Sequence, residues 1–361
     1  MHSKNGYVIN IARNSRRPAH IDASDTAIRK LATERRIMRR HLAFTIFAAA
    51  LTAGSVMMAA PSFAASSNVI IGVQREAADL HEKTNNFDEE PVLNGGEIRF
   101  LENRGSIGQQ LSAVIRSSDG HVIVVDGGQE ADADHLLSVI REAGGVVDAW
   151  LVTHPQADHV GGLYAMLRDH RQDVDIRGIY YNFFEYDWYR EVDPEESGIV
   201  AALMEQLASF DQTRLHPDAG LGTDVVFSDC LSFRVLNDPV RTDGAYAVNS
   251  SGLMYDILVN GKHLIILGDM GEAVGDRLIS TLPIQDISRD YVQMSHHGQD
   301  GVGETFYRIL SPVNCIWPTT DWIYHVENTN TRFRTVLTKN WISKLNVQNN
   351  YITIGDDVII R

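Results

Sequence analysis

Cysteine is scarce in this chain. The 361 residues include two cysteines, Cys230 and Cys315, which excludes a disulfide framework and a cysteine-based metal centre. The two could pair with each other, but each lies in an apolar, strand-like context that suits a buried thiol at least as well. Internal repeats, low-complexity tracts and a heptad seam are also absent from the sequence, which excludes solenoid and coiled-coil architectures.

Basic residues are scarce outside the first 65 positions. Residues 1–65 hold ten Lys or Arg and three Asp or Glu, whereas the rest of the chain holds 22 basic and 44 acidic residues, a net charge near −22. A nuclease has to neutralise phosphates and normally displays a basic groove. Nucleic acid is therefore an improbable partner, and we expect a small-molecule substrate: an ester, lactone or amide, a small phosphoester, or a cationic head group.

Long uncharged runs are absent except for one near the amino terminus. Four arginines between positions 35 and 40 precede Leu42–Ala60, and small residues follow at Ser62 and Ala64. This pattern predicts a secretory signal peptide over about residues 38–65, with Met38 as a natural start. A membrane-spanning helix is the competing interpretation, because 19 uncharged residues can just cross a bilayer. We expect an exported bacterial protein, periplasmic or secreted, with no stable membrane span after cleavage.

The rest of the chain divides into a short polar stretch and one large domain. We expect residues 1–65 to form an N-terminal tail and the signal peptide, and residues 66–96 to form a linker or capping segment. We expect residues 97–361 to form a single domain. In that domain, strand-like runs of five to seven residues alternate with helical patterns at 131–143, 161–170, 198–210, 272–280 and 332–339. The alternation predicts a layered α/β fold.

The most informative stretch is THPQADHVGGL, which begins at Thr153 and follows the apolar run Ala149–Val152. The run predicts a buried strand, so we expect His154, Asp158 and His159 to emerge where that strand gives way to a loop. Imidazole nitrogens and carboxylate oxygens are ligands of zinc-type divalent cations, and close spacing lowers the entropy cost of gathering them. A divalent metal site is the first hypothesis.

Four further polar signals follow strand-like runs. Asp126 lies in VVDGG, Asp269 in ILGDM, His296 and His297 in SHHG, and His325 in TTDWIYHVEN. Strand ends that converge on one rim of a sheet sandwich bring residues distant in sequence to one point. The order of the signals carries more information than any one of them.

With these motifs in this order, residues 96–361 resemble the metallo-β-lactamase superfamily, and more closely its ComEC-like branch, which includes the hydrolase domain of DNA-uptake proteins. The resemblance implies an α/β fold, the αββα four-layer sandwich of the metallo-β-lactamase type. It also implies metal ligands at His154, Asp158, His159, Asp269 and one of His296 or His297. We favour His296, because it directly ends its strand. Asp126 is implied to orient the loop and its ligands.

Two departures from the superfamily pattern change what the resemblance implies. The usual HxHxDH motif has a second His where this chain has Gln156, and the His expected before the GD strand is absent, with Asn249, Ser250 and Ser251 in that region. The first metal site keeps one imidazole, from His154, whereas the second is complete. We expect one tightly bound ion at the second site and a weak or substrate-dependent ion near His154. Zinc is the first expectation, and manganese or iron stay open.

These residues predict metal-assisted hydrolysis of a small ester or phosphodiester. A bound Zn²⁺ lowers the pKa of its water from 15.7 to about 7. Asp158 could orient that water, and His297, His325 or Asn249 could donate a hydrogen bond to the developing negative charge. Two alternatives stay open: a nuclease-like phosphodiesterase related to the DNA-uptake domain, and a metal-binding protein without turnover. β-Lactamase activity is not expected, because the first site lacks its histidines.

An aromatic cluster, IYYNFFEYDWYR over residues 179–190, is the best candidate for substrate contact outside the metal site. Tyr181, Phe184 and Trp188 could hold an apolar or cationic group, and Trp322 could line the same pocket. The alternative is that these rings belong to the core.

Overall fold

The computed structural model describes residues 82–83, 92–105, 108–285, 288–327 and 333–361. The signal peptide expected over residues 38–65 lies outside the described residues. Within the described part of the chain, no helix combines the length and the apolar character that a membrane crossing requires.

The strands of the described residues are short, mostly of two to five residues. In chain order they are β1 (Glu82–Lys83), β2 (Glu97–Phe100), β3 (Ser112–Arg116), β4 (Val122–Asp126), β5 (Val146–Val147), β6 (Ala149–Leu151), β7 (Asp175–Ile176), β8 (Ile179–Tyr180), β9 (Leu215–His216), β10 (Asp224–Val226), β11 (Leu231–Val235), β12 (Tyr255–Val259), β13 (Lys262–Ile266), β14 (Tyr291–Gln293), β15 (Asn314–Trp317), β16 (Asn349–Ile352) and β17 (Val358–Ile360).

The α-helices of the same residues are α1 (Ala133–Glu142), α2 (Ala157–Asp169), α3 (Tyr186–Val192), α4 (Ser197–Ala208), α5 (Ala247–Ser250), α6 (Glu272–Leu278), α7 (Glu304–Leu310), α8 (Asp321–Tyr324) and α9 (Thr335–Ile342). Short 3-10 turns cover Glu130–Asp132, Gln212–Arg214 and Ser295–Gly298.

Two large mixed sheets organise these strands. One has the order β1-β16-β15-β14-β13-β12-β11-β10, and the other has the order β17-β2-β3-β4-β6-β8-β9. Hairpin-connected strands such as β2, β3 and β4 pair antiparallel, whereas β4 and β6, and likewise β13 and β14, pair in parallel. Parallel neighbours end at the same edge, and both of these pairs lead into the site described below.

The central core lies between the two sheets. Along β4, Ile123 and Val125 point into this core, and Val122 and Val124 point the other way. All five residues of β4 are buried, as expected for a strand that is covered on both faces. The inner face meets residues such as Phe233 of the second sheet.

Helices cover the outer face of each sheet. The outer side of the β4 sheet packs on apolar residues of α1, α2 and α4, and the outer side of the β13 sheet packs on α6, α7 and α9. Helix, sheet, sheet and helix make four layers, so the predicted αββα sandwich is confirmed.

Two described parts of residues 66–96 are joined to this sandwich. Strand β1 pairs in parallel with β16 at the edge of its sheet. Leu93 is fully buried in the central core, and the Val92 N–H donates to the carbonyl of Arg361. Both cysteines are free: Cys315 is buried in β15, and Cys230 is half-buried.

Candidate metal centre

Polar side chains gather at one rim of the sandwich, where strands of both sheets end. In the sheet that contains β4, this strand ends at Asp126, and β6 is followed by the segment 153–159. In the sheet that contains β13, this strand is followed by Asp269, and β14 is followed by the 3-10 turn Ser295–Gly298. The rim is the place where sequence analysis expected ligands to converge.

Asp158 and His159 lie in the first turn of a helix, because α2 begins at Ala157. The expectation of a loop at these residues was therefore wrong. The helical pattern in the sequence predicts a start at Gly161, four residues later, and two glycines in the first turns lower helix propensity. Tertiary contacts outweigh that preference: Glu196 Oε2 accepts a hydrogen bond from the Ala157 N–H at 3.2 Å, which satisfies one of the free donors of the first turn.

The paired glycines of the two motifs allow α2 to approach the loop after β4. A Cβ at Gly162 would overlap the backbone carbonyl of Gly127, so this position excludes a side chain. The Gly162 N–H donates to the Gly128 carbonyl at 3.0 Å, and the Gly128 N–H donates to the His159 carbonyl at 3.1 Å. This close packing places the His159 ring against Asp126, at the end of β4.

Four side chains form what we call the carboxylate–histidine set: Asp158, His159, Asp269 and His297. The Nε2 of His159 lies 3.2 Å from Asp269 Oδ1 and 3.9 Å from Asp158 Oδ1. The Nε2 of His297 lies 3.4 Å from Asp158 Oδ2 and 3.5 Å from Asp269 Oδ2. Asp158, His159 and His297 offer ligand atoms that all lie within 4.8 Å of one another. Asp269 adds a carboxylate within 3.5 Å of both imidazoles.

The outer nitrogen of each imidazole is held by a hydrogen bond. His159 Nδ1 donates to Asp126 Oδ2 at 2.8 Å, and His297 Nδ1 donates to the carbonyl of Pro318 at 2.7 Å. The inner Nε2 atoms of both rings, and Asp269 Oδ1, are buried and have no hydrogen-bond partner. Buried polar atoms rarely lack partners, and ring orientation by outer hydrogen bonds is typical of metal-ligating histidines. The set therefore fits a divalent cation.

The electrostatics of the set also favour a cation. Burial lowers the pKa of His297, but the Asp269 and Asp158 carboxylates outweigh it and raise this pKa to about 9. His159 behaves in the same way, and its pKa lies well above the usual value despite burial. Burial raises the pKa of Asp269, but the neighbouring imidazoles hold it well below its usual range. Without a metal the set attracts protons, which a bound cation would replace.

His297, and not the favoured His296, belongs to this set. Both residues have left-handed backbones, with φ of 49° for His296 and 56° for His297, a conformation that costs about 1–3 kcal/mol in a residue with a side chain. The turn they make directs His297 inward. His296 borders the cavity, with its ring edge-on to Tyr246, and its Nε2 lies 3.6 Å from Asp269 Oδ2. His296 Nδ1 is also buried without a hydrogen-bond partner, but of these two residues only His297 lies within 4 Å of both carboxylates. The geometry therefore favours His297 over the residue that directly ends the strand.

A second group, which we call the amide set, consists of His154, Gln156 and Asn249. Gln156 Oε1 accepts hydrogen bonds from His154 Nε2 at 3.0 Å and from Asn249 Nδ2 at 2.7 Å. Gln156 Nε2 donates to Asp193 Oδ2 at 2.9 Å, which fixes the orientation of the amide. Burial, followed by the charge of nearby His159, lowers the pKa of His154 to about 3, so the ring is neutral.

The hydrogen bonds of the amide set favour the carboxylate–histidine set as the cation site. His154 Nε2 carries the proton that it donates to Gln156, so its lone pair is at Nδ1, 3.0 Å from the Thr153 hydroxyl. His154, His159 and Asp269 do lie close enough together to hold an ion. However, His159 has only one nitrogen free, because the other donates to Asp126. That nitrogen can bind only one ion, and the carboxylate–histidine set offers more ligands for it: two imidazoles and two carboxylates.

A cavity of about 360 Å³ opens onto both sets. It is lined by Gly108, Gln109, Gln129, Gln156, Ala157, Asp158, Glu196, Ala245, Tyr246, Asn249, Asp269 and His296. Asn249, expected to serve as a donor, is indeed here, with its Nδ2 3.3 Å from Asp269 Oδ2.

The aromatic residues expected at the substrate site line no part of this cavity. Phe184 and Trp188 pack with Ala247 and Val248 of α5, and Tyr181 packs against the outer helical layer. Phe184 and Trp188 thus support the short helix that carries Asn249. The structure therefore fits the alternative that these rings belong to the core. Trp322 is 51% exposed and packs on Phe333.

His325 also lies outside the cavity lining. Its Nδ1 is 2.9 Å from Asp321 Oδ1, one helical turn earlier, and its ring packs edge-on against Tyr324. The ring is more than half exposed. The expected donor role is not supported, because α8 turns this histidine toward solvent.

Three cavity residues were missed by sequence analysis. Gln156 was noted only as a replaced ligand, although it bonds to both other members of the amide set. Glu196 was missed, and the sole signal for it was an acidic residue before a predicted helix. Burial raises the pKa of its carboxyl, and the Ala157 N–H opposes that shift. Tyr246 lies in a polar loop with no recognisable motif.

The fold and the site together define a layered α/β protein with His and Asp side chains that could hold a divalent cation at the rim of two sheets. The profile of the metallo-beta-lactamase superfamily matches residues 105–290, just over half of the chain, and the chain belongs to that superfamily. The members of this superfamily are generally metal-dependent hydrolases.

Individual relatives match shorter stretches. ComE operon protein 3 of Bacillus subtilis (strain 168) is 26% identical over 171 residues, 47% of this chain and 20% of that protein, which fits the ComEC-like branch. Hydroxyacylglutathione hydrolase of Aliivibrio salmonicida (strain LFI1238) is 38% identical over 55 residues, 15% of this chain and 21% of that protein. The chain thus spans about one fifth of the length of these curated relatives. Among solved structures, the metallo-beta-lactamase fold protein YhfI from Bacillus subtilis aligns with a TM-score of 0.44 and 8% identity, covering 73% of this chain and 98% of that one.

Proposed function

We propose that this chain is an exported metal-dependent hydrolase that acts on a small ester or phosphodiester with one tightly bound divalent cation, zinc being the first expectation. The observation that carries the proposal is that His159 Nε2, His297 Nε2 and Asp269 Oδ1 are buried beside an open cavity without a hydrogen bond, and that the two nitrogens face the Asp269 carboxylate at 3.2 and 3.5 Å. Export is proposed from the arginine-led uncharged run near the amino terminus.

The chain's own residues would hold the cation, accept a proton and orient the substrate. When bound, the cation would supply an acidified water and polarise the scissile bond. Asp126 and Pro318 fix the two imidazoles through their outer nitrogens. Asp158 borders the cavity and is the carboxylate placed to accept a proton from an attacking water. Asn249, held by Gln156, is placed to orient the substrate.

The experiment that tests this proposal is a hydrolysis panel on the purified protein, before and after removal of its metal. The panel contains bis-p-nitrophenyl phosphate, p-nitrophenyl phosphorylcholine, simple lactones and p-nitrophenyl acetate. We expect turnover of at least one substrate that disappears with a chelator, returns with Zn²⁺, Mn²⁺ or Fe²⁺, and is absent from Asp158→Ala. Bound metal with no turnover of any substrate would instead favour a metal-binding protein without activity.

A nuclease-like phosphodiesterase is the second candidate, favoured by the match to ComE operon protein 3 over 171 residues. The acidic composition after residue 65 argues against it. Cleavage of a fluorogenic DNA with added Zn²⁺ or Mn²⁺, at a rate above that of the small esters, would replace the first candidate by the second.

A further inference from the structure

The cavity beside the carboxylate–histidine set is lined by neutral amides and carboxylates. Four carboxamides, from Gln109, Gln129, Gln156 and Asn249, border it. Within the described part of the chain, the lining includes no lysine or arginine. Sites that bind phosphate groups usually pair them with Arg, Lys or an array of backbone N–H groups.

The charge balance of the cavity is negative even when a divalent cation is counted. Two positive charges on the cation would offset the carboxylates of Asp158 and Asp269. The remaining carboxylate of the lining is Glu196, which accepts a hydrogen bond from the Ala157 N–H. Ala157 directly precedes Asp158, so this bond holds the Glu196 carboxylate at the start of α2, beside the ligands.

We propose that the group seated in this cavity during hydrolysis is uncharged, as in a lactone, carboxylic ester or amide, and that Glu196 determines this specificity by repelling anionic groups such as phosphodiesters. A carboxamide has two donor and two acceptor positions. Gln156 and Asn249 use some of theirs on each other, on Asp193 and on Asp269, and the remaining positions, such as Asn249 Oδ1, suit the hydroxyl and carbonyl groups of a neutral polar molecule. The inference rests on the proposed function and narrows its substrate class.

The chain offers a matched pair of variants for testing this role. Glu196→Gln removes one negative charge from the cavity and keeps an oxygen that can accept from the Ala157 N–H. Glu195→Gln removes the same charge from the adjacent exposed residue, which is not part of the lining. A long-range electrostatic effect would change the preference for neutral over anionic ligands in both variants. A local effect would change it only in Glu196→Gln. Thermal unfolding of both variants establishes that they fold.

The first measurement compares two esters with the same leaving group, neutral p-nitrophenyl acetate and anionic mono-p-nitrophenyl succinate, at pH 8 and low salt. We expect the kcat/KM ratio to favour the neutral ester by about fivefold in the unaltered protein and to approach parity in Glu196→Gln. Glu195→Gln should keep the original ratio. Added salt should shrink the preference in the unaltered protein and have little effect in Glu196→Gln, because screening weakens the same repulsion. An unchanged ratio in Glu196→Gln, or a preference for the succinate, would overturn the proposal.

The second measurement does not need turnover. The Co²⁺-loaded protein is titrated with inorganic phosphate and with imidazole at pH 8, and binding is read from its visible absorption. Glu196→Gln should bind phosphate about fivefold more tightly with little change for imidazole. Equal phosphate affinity in the two proteins would refute the role of Glu196. Failure to bind Co²⁺ at all would instead refute the proposed function, so the two failures can be told apart.

Discussion

The carboxylate–histidine set and the amide set lie side by side on the same rim but satisfy their polar atoms in opposite ways. In the first set, His159 Nε2, His297 Nε2 and Asp269 Oδ1 are buried without partners. In the second, Gln156 Oε1 already accepts two hydrogen bonds, from His154 and Asn249. Unpartnered buried atoms need a ligand, whereas a satisfied network does not. The first set therefore has the chemistry to hold a cation, whereas the second is a hydrogen-bond network that is already formed.

The largest effect is expected from removing the carboxylate that both imidazoles of the cation site face. Asp269→Ala should lower bound divalent metal from about one equivalent to on the order of a tenth, with hydrolysis lost, because the variant lacks the carboxylate within 3.5 Å of both imidazoles and one of the two negative charges that would offset the cation. Elemental analysis of the purified variant measures this. Asp276→Ala, an exposed aspartate in α6, is the control and should retain its metal. Metal retention by Asp269→Ala would break the distinction between the two sets.

The two adjacent histidines sharpen the boundary of the cation site. His297→Ala should weaken metal affinity by more than about 100-fold, whereas His296→Ala should weaken it by less than about tenfold, because only His297 has its outer nitrogen anchored by a carbonyl. Competition with a chromogenic chelator gives both affinities. Equal losses of metal affinity in the two variants, or a larger loss in His296→Ala, would show that the assignment of His297 as the ligand is wrong.

The stability of the metal-free protein should fall as pH rises from about 6.5 to about 9. Folding raises the pKa of His297 from 6.5 to about 9, so the folded state holds this proton more tightly than the unfolded state. The resulting stabilisation is fully present below pH 6.5 and is lost as the pH rises through about 9. The pKa of His159 is shifted in the same direction. Urea midpoints measured with a chelator should show this fall, and midpoints measured with saturating metal should not. A metal-free midpoint that stays level or rises over this range would contradict the assigned charges.

The smallest effect on metal is expected from the amide set. Gln156→Ala should change metal affinity by less than about threefold, because no atom of Gln156 takes part in the cation site. The lost hydrogen bonds should lower the free energy of unfolding by about 1–2 kcal/mol. Chelator competition and chemical denaturation measure the two quantities. A metal loss as large as that of Asp269→Ala would merge the two sets into one site.

Much of the cation site could be predicted from the sequence, because His159, Asp269 and the double histidine each follow an apolar run that ends at the same rim. The alternation of strands and helices predicts a layered α/β fold, and the resemblance implies its four layers. Those features depend on local patterns and on the resemblance to a known fold.

Other features depend on tertiary contacts that no local pattern contains. The choice of His297 depends on a left-handed turn at two non-glycine residues. The start of α2 before its two glycines depends on contacts with the loop after β4 and with Glu196. The aromatic residues around Trp188 have the composition of a binding site, but they pack beneath α5.

The number of divalent ions per chain tests the central claim most directly. Elemental analysis of the unaltered protein, equilibrated with excess zinc and then freed of unbound metal, should give about one equivalent per chain. Two equivalents would show that His154 and its neighbours bind a second ion despite their hydrogen bonds. No bound metal would show that the inward-facing imidazoles and carboxylates are not a cation site.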